Sequence, residues 1–148
     1  MQHSGEVNTD FAVEYIGTPK FKTGLQYTGI KVVRDKGENF YSISSGMYRY
    51  RVGRVLNTAG YENLYQNTDS VYYREFMKGN TAVFQKLSHA YRCFPELVDN
   101  PDYAFVQVTL AGPLTTVELE RPGIKDRFRV VLSPRILDIQ RMKLKWQI

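Results

Sequence analysis

The stretch from Gly29 to Val55, GIKVVRDKGENFYSISSGMYRYRVGRV, constrains the fold most. β-Branched and aromatic residues come in short bursts, separated by two glycine-centred breaks, Asp35-Lys36-Gly37 and Ser45-Gly46. Glycine reaches positive φ without a Cβ penalty, so both breaks suit tight reversals between strands. The reading is a three-strand antiparallel meander: Ile30–Arg34, Phe40–Ser44 and Met47–Val55. Side chains alternate along a strand. Tyr48, Tyr50 and Val52 therefore share one face of the third strand, and Arg49 and Arg51 the other.

The rest of the chain extends the pattern. Phe11, Val13 and Tyr15 suggest a strand at about 11–16, ended by Gly17-Thr18-Pro19. Residues 1–27 read as a partly extended N-terminal arm. Asp69 or Ser70 could cap a short helix to Met77, after a long loop at 57–67. Thr81–Phe84 is a strand, and Ser88 is the expected N-cap of a helix with Leu87, Ala90, Tyr91 and Phe94 on one stripe. Pro95 stops it, and Asp99-Asn100-Pro101-Asp102 is a turn. Four strands close the chain: Tyr103–Leu110, Thr116–Glu120 with Val117 and Leu119 inward, Arg127–Leu132, and Arg141–Ile148. In the last, Met142, Leu144, Trp146 and Ile148 point inward, and Arg141, Lys143 and Lys145 outward.

With 148 residues this is one domain, 1–148, able to bury a core. The fold class is α+β: a curved, mostly antiparallel sheet or partial β-barrel with one or two short helices. No apolar run is long enough for a membrane helix, the N-terminus lacks the pattern of a secretory signal, and no membrane partner is expected. The single cysteine, Cys93, cannot form an internal disulfide, which suits a reducing compartment, and it reads as a small buried helix residue.

Chemistry-bearing motifs are scarce. His3, His89 and Cys93 are too few for a metal centre, so no metal is expected. No phosphate-binding loop, dinucleotide fingerprint or nucleophile elbow occurs. What stands out is charge. Residues 121–148 hold eight basic and two acidic side chains, whereas the first 120 hold twelve and thirteen. Arg127 and Arg129 share a strand face, as do Arg141, Lys143 and Lys145; on adjacent strands these five would form a stripe able to displace counterions from phosphates. With Arg49 and Arg51 they are the candidate binding residues, and tyrosines offer stacking platforms. The expected function is a non-enzymatic binding or structural module with no cofactor, whose basic β-face contacts an acidic protein surface or nucleic acid; oligomerisation is left open.

Two resemblances add expectations. Glu118-Leu119-Glu120, with Arg34 on an early strand and Ser42 or Ser44 on the next, looks like the arrangement of arginine-modifying ADP-ribosyltransferases. That resemblance implies an enzyme using NAD, with Arg34, Ser44, Glu118 and Glu120 as catalytic candidates. The sequence departs from it because the serine follows Arg34 almost at once. Secondly, IKVVR, FYSISSG and YRYRVGRV, followed by AVFQKLSHAYRCF and YAFVQVTLAG, resemble small uncharacterised domains of phages, large DNA viruses and some bacteria. This match runs from Gly29 to about Gly112 and implies a viral or phage accessory or particle protein, in the host cytoplasm or the virion.

Overall fold

A computed structural model describes residues 11, 13–37, 39–43, 49–51, 56–57 and 80–142, with the backbone alone at 49–51 and 56–57. The described chain is mostly sheet: β1 (Glu14–Lys22), β2 (Gln26–Asp35), β3 (Asn39–Ser42), β4 (Arg49–Arg51), β5 (Leu56–Asn57), β6 (Thr81–Phe84), β7 (Tyr103–Ala111), β8 (Leu114–Glu120), β9 (Arg127–Ser133) and β10 (Arg135–Arg141). One α-helix, α1 (Leu87–Cys93), and a 3-10 turn (Pro95–Leu97) interrupt it. The strand order is β1-β8-β9-β6-β2-β7-β10-β5, with β3 on β2 and β4 on β3. Every described pairing is antiparallel. Among the described residues the curved sheet does not close, because β1 and β5 stand at its two ends.

Both faces of the sheet carry core. Register places Ile30, Val32, Phe84, Phe105, Phe128 and Val130 on one face. α1 and the following turn cover that face with Ala90, Cys93, Phe94 and Leu97, all buried. Phe84 meets Phe94 and Phe128 edge-on at 6.3 and 5.9 Å, and Tyr91 meets Phe105 at 4.8 Å. On the opposite face Val33, Phe40, Val83, Val106, Val108 and Val131 are fully buried. Burial on both faces explains why the central strands read as near-continuous apolar runs.

Several sequence expectations are corrected. β1 runs through Gly17-Thr18-Pro19 instead of ending there. Gly17 takes φ +84°, the register against β8 shifts between Ile16 and Lys20, and Pro19 lies on an edge strand where its missing N–H breaks no described ladder. The arm expected before residue 28 is therefore sheet from Glu14 onward, apart from the turn into β2. α1 is capped at Lys86, not Ser88, and no side chain bonds its first turn. The strand expected over Arg141–Ile148 lies outside the described residues from 143 onward, and β10, Arg135–Arg141, is a strand not expected from the sequence. A shift between Ile136 and Asp138 breaks its alternation, so Ile136 and Ile139, three apart, both face the core. The Ser45-Gly46 turn, the 69–77 helix, most of the loop before it, and residues 143–148 with Lys143 and Lys145 lie outside the described residues.

Candidate nucleic-acid interface

The β2–β3 reversal sets the geometry. Gly37 at φ +85° turns the chain, its N–H donates to Asp35 Oδ1 at 2.9 Å, and the Lys36 N–H donates to the Asn39 carbonyl at 3.0 Å. The same carboxylate receives Arg141: Nη1 donates to Oδ2 at 2.6 Å and Nη2 to Oδ1 at 2.7 Å, while Nη2 also donates to the Gly37 carbonyl. The guanidinium lies 4.6 Å from the centre of the Phe40 ring. Arg141 thus ties the end of β10 to the turn, and its charge is spent on Asp35 rather than offered outward. Arg141's hydrogen bond lowers the Asp35 pKa, and Arg121's lowers that of Glu96.

A carboxylate depressed in the fold contributes stability above its unfolded pKa, near 4, and loses it as pH falls through the folded value. Thermal unfolding followed from pH 7 to pH 2 is expected to show stability falling below about pH 4. In Arg141→Gln the Asp35 share of that fall should shrink, because only the Gly37 N–H still holds the carboxylate, giving a shallower acid limb.

Beside this turn, cross-strand register builds a row. Arg49 on β4 stands opposite Tyr41 on β3; Tyr41 stands opposite Arg34 on β2; Arg34 stands opposite Tyr103 on β7. Cationic and aromatic residues alternate across four strands. The Arg34 guanidinium lies 5.8 Å from the Tyr41 ring centre, within cation–π range, and its Nε is buried without a hydrogen-bond partner. Among the described residues no carboxylate ion-pairs with Arg34. Arg34, Tyr41 and Tyr103 are all part-exposed. Arg51 stands two residues along from Arg49, opposite Asn39. Past Tyr103 the row meets an open pocket of about 400 Å³ whose walls include Tyr91, Asn100, Tyr103, Phe105 and Met142. The Asp99–Asp102 turn shapes its rim: the Asp102 N–H donates to Asn100 Oδ1 at 2.9 Å, and the Tyr103 N–H to the Asn100 carbonyl at 3.1 Å.

Among the described residues, Arg127 and Arg129 do not join Arg141 in one stripe. β9, carrying Arg127 and Arg129, is separated from β10 by β6, β2 and β7. Arg127 Nε lies 3.2 Å from Glu120 Oε2, and Arg129 stands opposite Glu118. The glutamates offset this face locally, which a net charge summed along the sequence could not reveal. Nor does the fold gather the transferase-like residues. Two strands lie between β8, with Glu118 and Glu120, and β2, with Arg34, and register puts the glutamates on the opposite face from Arg34. Ser42 is buried opposite Val33, also on the face away from Arg34, and Ser44 lies outside the described residues.

His89 and Cys93 sit on α1, and no cluster of three metal-ligating side chains exists among the described residues. Burial pushes the Cys93 thiol up to about 12, leaving it protonated and inert at neutral pH. Burial, then the charges of Arg92 and Lys86, lowers the His89 pKa. Among the described residues no helix is long and apolar enough to cross a membrane. Comparison with protein-family models, curated proteins and solved structures finds no match.

The sequence singled out Arg49 and Arg51 but not the alignment of Arg34 and Tyr103 with them. Their signal is long-range pairing between β2 and β7, which local sequence does not carry.

Proposed function

We propose that this protein is a non-enzymatic binding module that holds single-stranded nucleic acid across β4, β3, β2 and β7. The observation that carries the reading is the Arg49–Tyr41–Arg34–Tyr103 register row, with an unpaired guanidinium at Arg34 and an aromatic-walled pocket at its end. Arginines there neutralise phosphates, and tyrosine rings accept unstacked bases without demanding a particular sequence. The pocket has the size of a small-ligand site. Arg127 and Arg129, each facing a glutamate across the β8–β9 ladder, play a lesser part.

The test is fluorescence anisotropy of a labelled single-stranded oligonucleotide at rising salt. Three phosphate contacts, from Arg34, Arg49 and Arg51, give a log–log salt slope of about −2 for a single strand, so affinity should fall about twentyfold between 50 and 200 mM salt. Arg34→Gln should weaken binding and flatten the slope by about 0.7, while Arg129→Gln should leave both unchanged. Absence of binding at 50 mM salt overturns the reading. Displacement of the oligonucleotide by a polyglutamate at equal charge would reassign the same face to an acidic protein.

A further inference from the structure

The interior of the sheet holds a second polar feature, away from the Arg–Tyr row. The strand pairing beside β2 changes partner partway along. At Ile30 β2 pairs with Phe84 of β6; from Val33 to Asp35 it pairs with β3 instead. Where β6 leaves β2, the Lys31 side chain reaches across, and Nζ donates to the Ala82 carbonyl at 3.1 Å. Lys31 belongs to the face opposite α1, beside Val106 in register and between Gly29 and Val33 along its strand. An ammonium has three N–H donors. One is used here, and Lys31 keeps part of its surface in solvent.

One residue before Ala82 stands Thr81, which is 1% exposed and whose Oγ1 has no hydrogen-bond partner. By strand alternation Thr81 faces the same side as Val83, the side of Lys31. The carbonyl that holds the ammonium belongs to Ala82, the residue next to Thr81, so the Lys31 charge comes to rest beside the stretch of β6 that carries the Thr81 hydroxyl. A buried hydroxyl left unpaired is destabilising. A valine of the same shape would avoid that cost, so the hydroxyl calls for a role. Burial lowers the Lys31 pKa to about 8, which leaves the ammonium mostly charged at neutral pH.

We propose that Lys31 and Thr81 form a binding site for a small oxyanion, a carboxylate or phosphate group, at the fork of β2, β6 and β3. The ammonium supplies charge and two further donors, and the Thr81 hydroxyl supplies a third. The site is independent of the Arg–Tyr row, because Arg34 lies on the other face of β2.

Isothermal titration with inorganic phosphate, and separately with acetate, tests it in the full chain. Wild type should bind at least one of the two saturably. Thr81→Val and Lys31→Met should each weaken that binding at least tenfold, and Arg34→Gln should leave it unchanged. Thr81→Val, without anion, should melt at or above the wild-type temperature. Saturable binding of neither anion by wild type overturns the proposal, as does unchanged affinity in Thr81→Val. A binding loss in Arg34→Gln equal to that in Thr81→Val also overturns it, by moving the anion to the nucleic-acid face. Should Lys31→Met fail to fold, Thr81→Val alone decides.

Discussion

Replacing Arg121 with alanine is expected to destabilise the fold by about 3 kcal/mol in urea unfolding. The residue follows β8 directly and is 9% exposed, unusual for a residue that carries a permanent charge. Its Nη1 donates to the Cys93 carbonyl at 2.9 Å and to Glu96 Oε1 at 2.8 Å, and Nη2 pairs with Glu96 Oε2. The guanidinium also stacks on aromatic rings, 4.7 Å from the centre of Phe94 and 5.8 Å from that of Phe11. One side chain therefore joins the end of α1, the 3-10 turn, and Phe11 ahead of β1.

Truncation removes these contacts together and strands a buried carbonyl. The cost exceeds that of a surface ion pair, which is about 1 kcal/mol or less. Glu96 is the cheaper partner to lose, because 47% of its side chain is exposed and its carboxylate can rehydrate. Glu96→Gln keeps acceptor and shape, and should cost about 1–2 kcal/mol. A loss below about 1 kcal/mol in Arg121→Ala would show that α1 is held by its apolar contacts alone.

Gly29→Ala should cost about 2–3 kcal/mol, although it adds only one methyl group. The reason is a close crossing of strands. A Cβ at Gly29 would lie 2.5 Å from the Phe84 carbonyl oxygen and 2.6 Å from Val83 Cγ2. The first of these atoms is backbone, so rotating a side chain cannot relieve the clash. β2 and β6 would have to separate at Ile30–Phe84, their single described register pair. That separation would open the fork that Lys31 bridges and loosen β2, the strand that presents Arg34. Chemical unfolding measures the loss, and a change within 0.5 kcal/mol would mean the crossing is wider than these distances state.

How much of this the sequence carried depended on the range of the determining forces. β8 and β9 were legible because Val117, Leu119, Phe128 and Val130 alternate against exposed charges, a two-residue rhythm that needs no distant information. The Asp35–Gly37 turn was legible through glycine, which takes positive φ at Gly37. β1 was cut short because Gly17 and Pro19 look like breakers; only its place at the sheet edge makes them tolerable. β10 was hidden by its bulge, since Ile136 and Ile139 do not alternate.

The candidate site was half legible. Arg49 and Arg51 announced themselves by rhythm. Their alignment with Tyr41, Arg34 and Tyr103 depends on which strand lies next to which. Charge summed along the chain pointed to the C-terminal region, where pairing instead puts Glu120 against Arg127, Glu118 against Arg129, and Asp35 against Arg141. Those pairs are products of the topology, and composition cannot see them.

The most direct measurement is an amide NMR titration of the isotopically labelled protein with a short single-stranded oligonucleotide at low salt. Binding through the arginine–tyrosine row predicts that the largest shift changes fall on Arg34, Tyr41, Asn39, Tyr103 and the pocket residues Asn100 and Phe105, and that β8 and β9 stay still. Changes centred on Arg127 and Arg129 of β9, with Arg34 and Tyr41 unmoved, would contradict it.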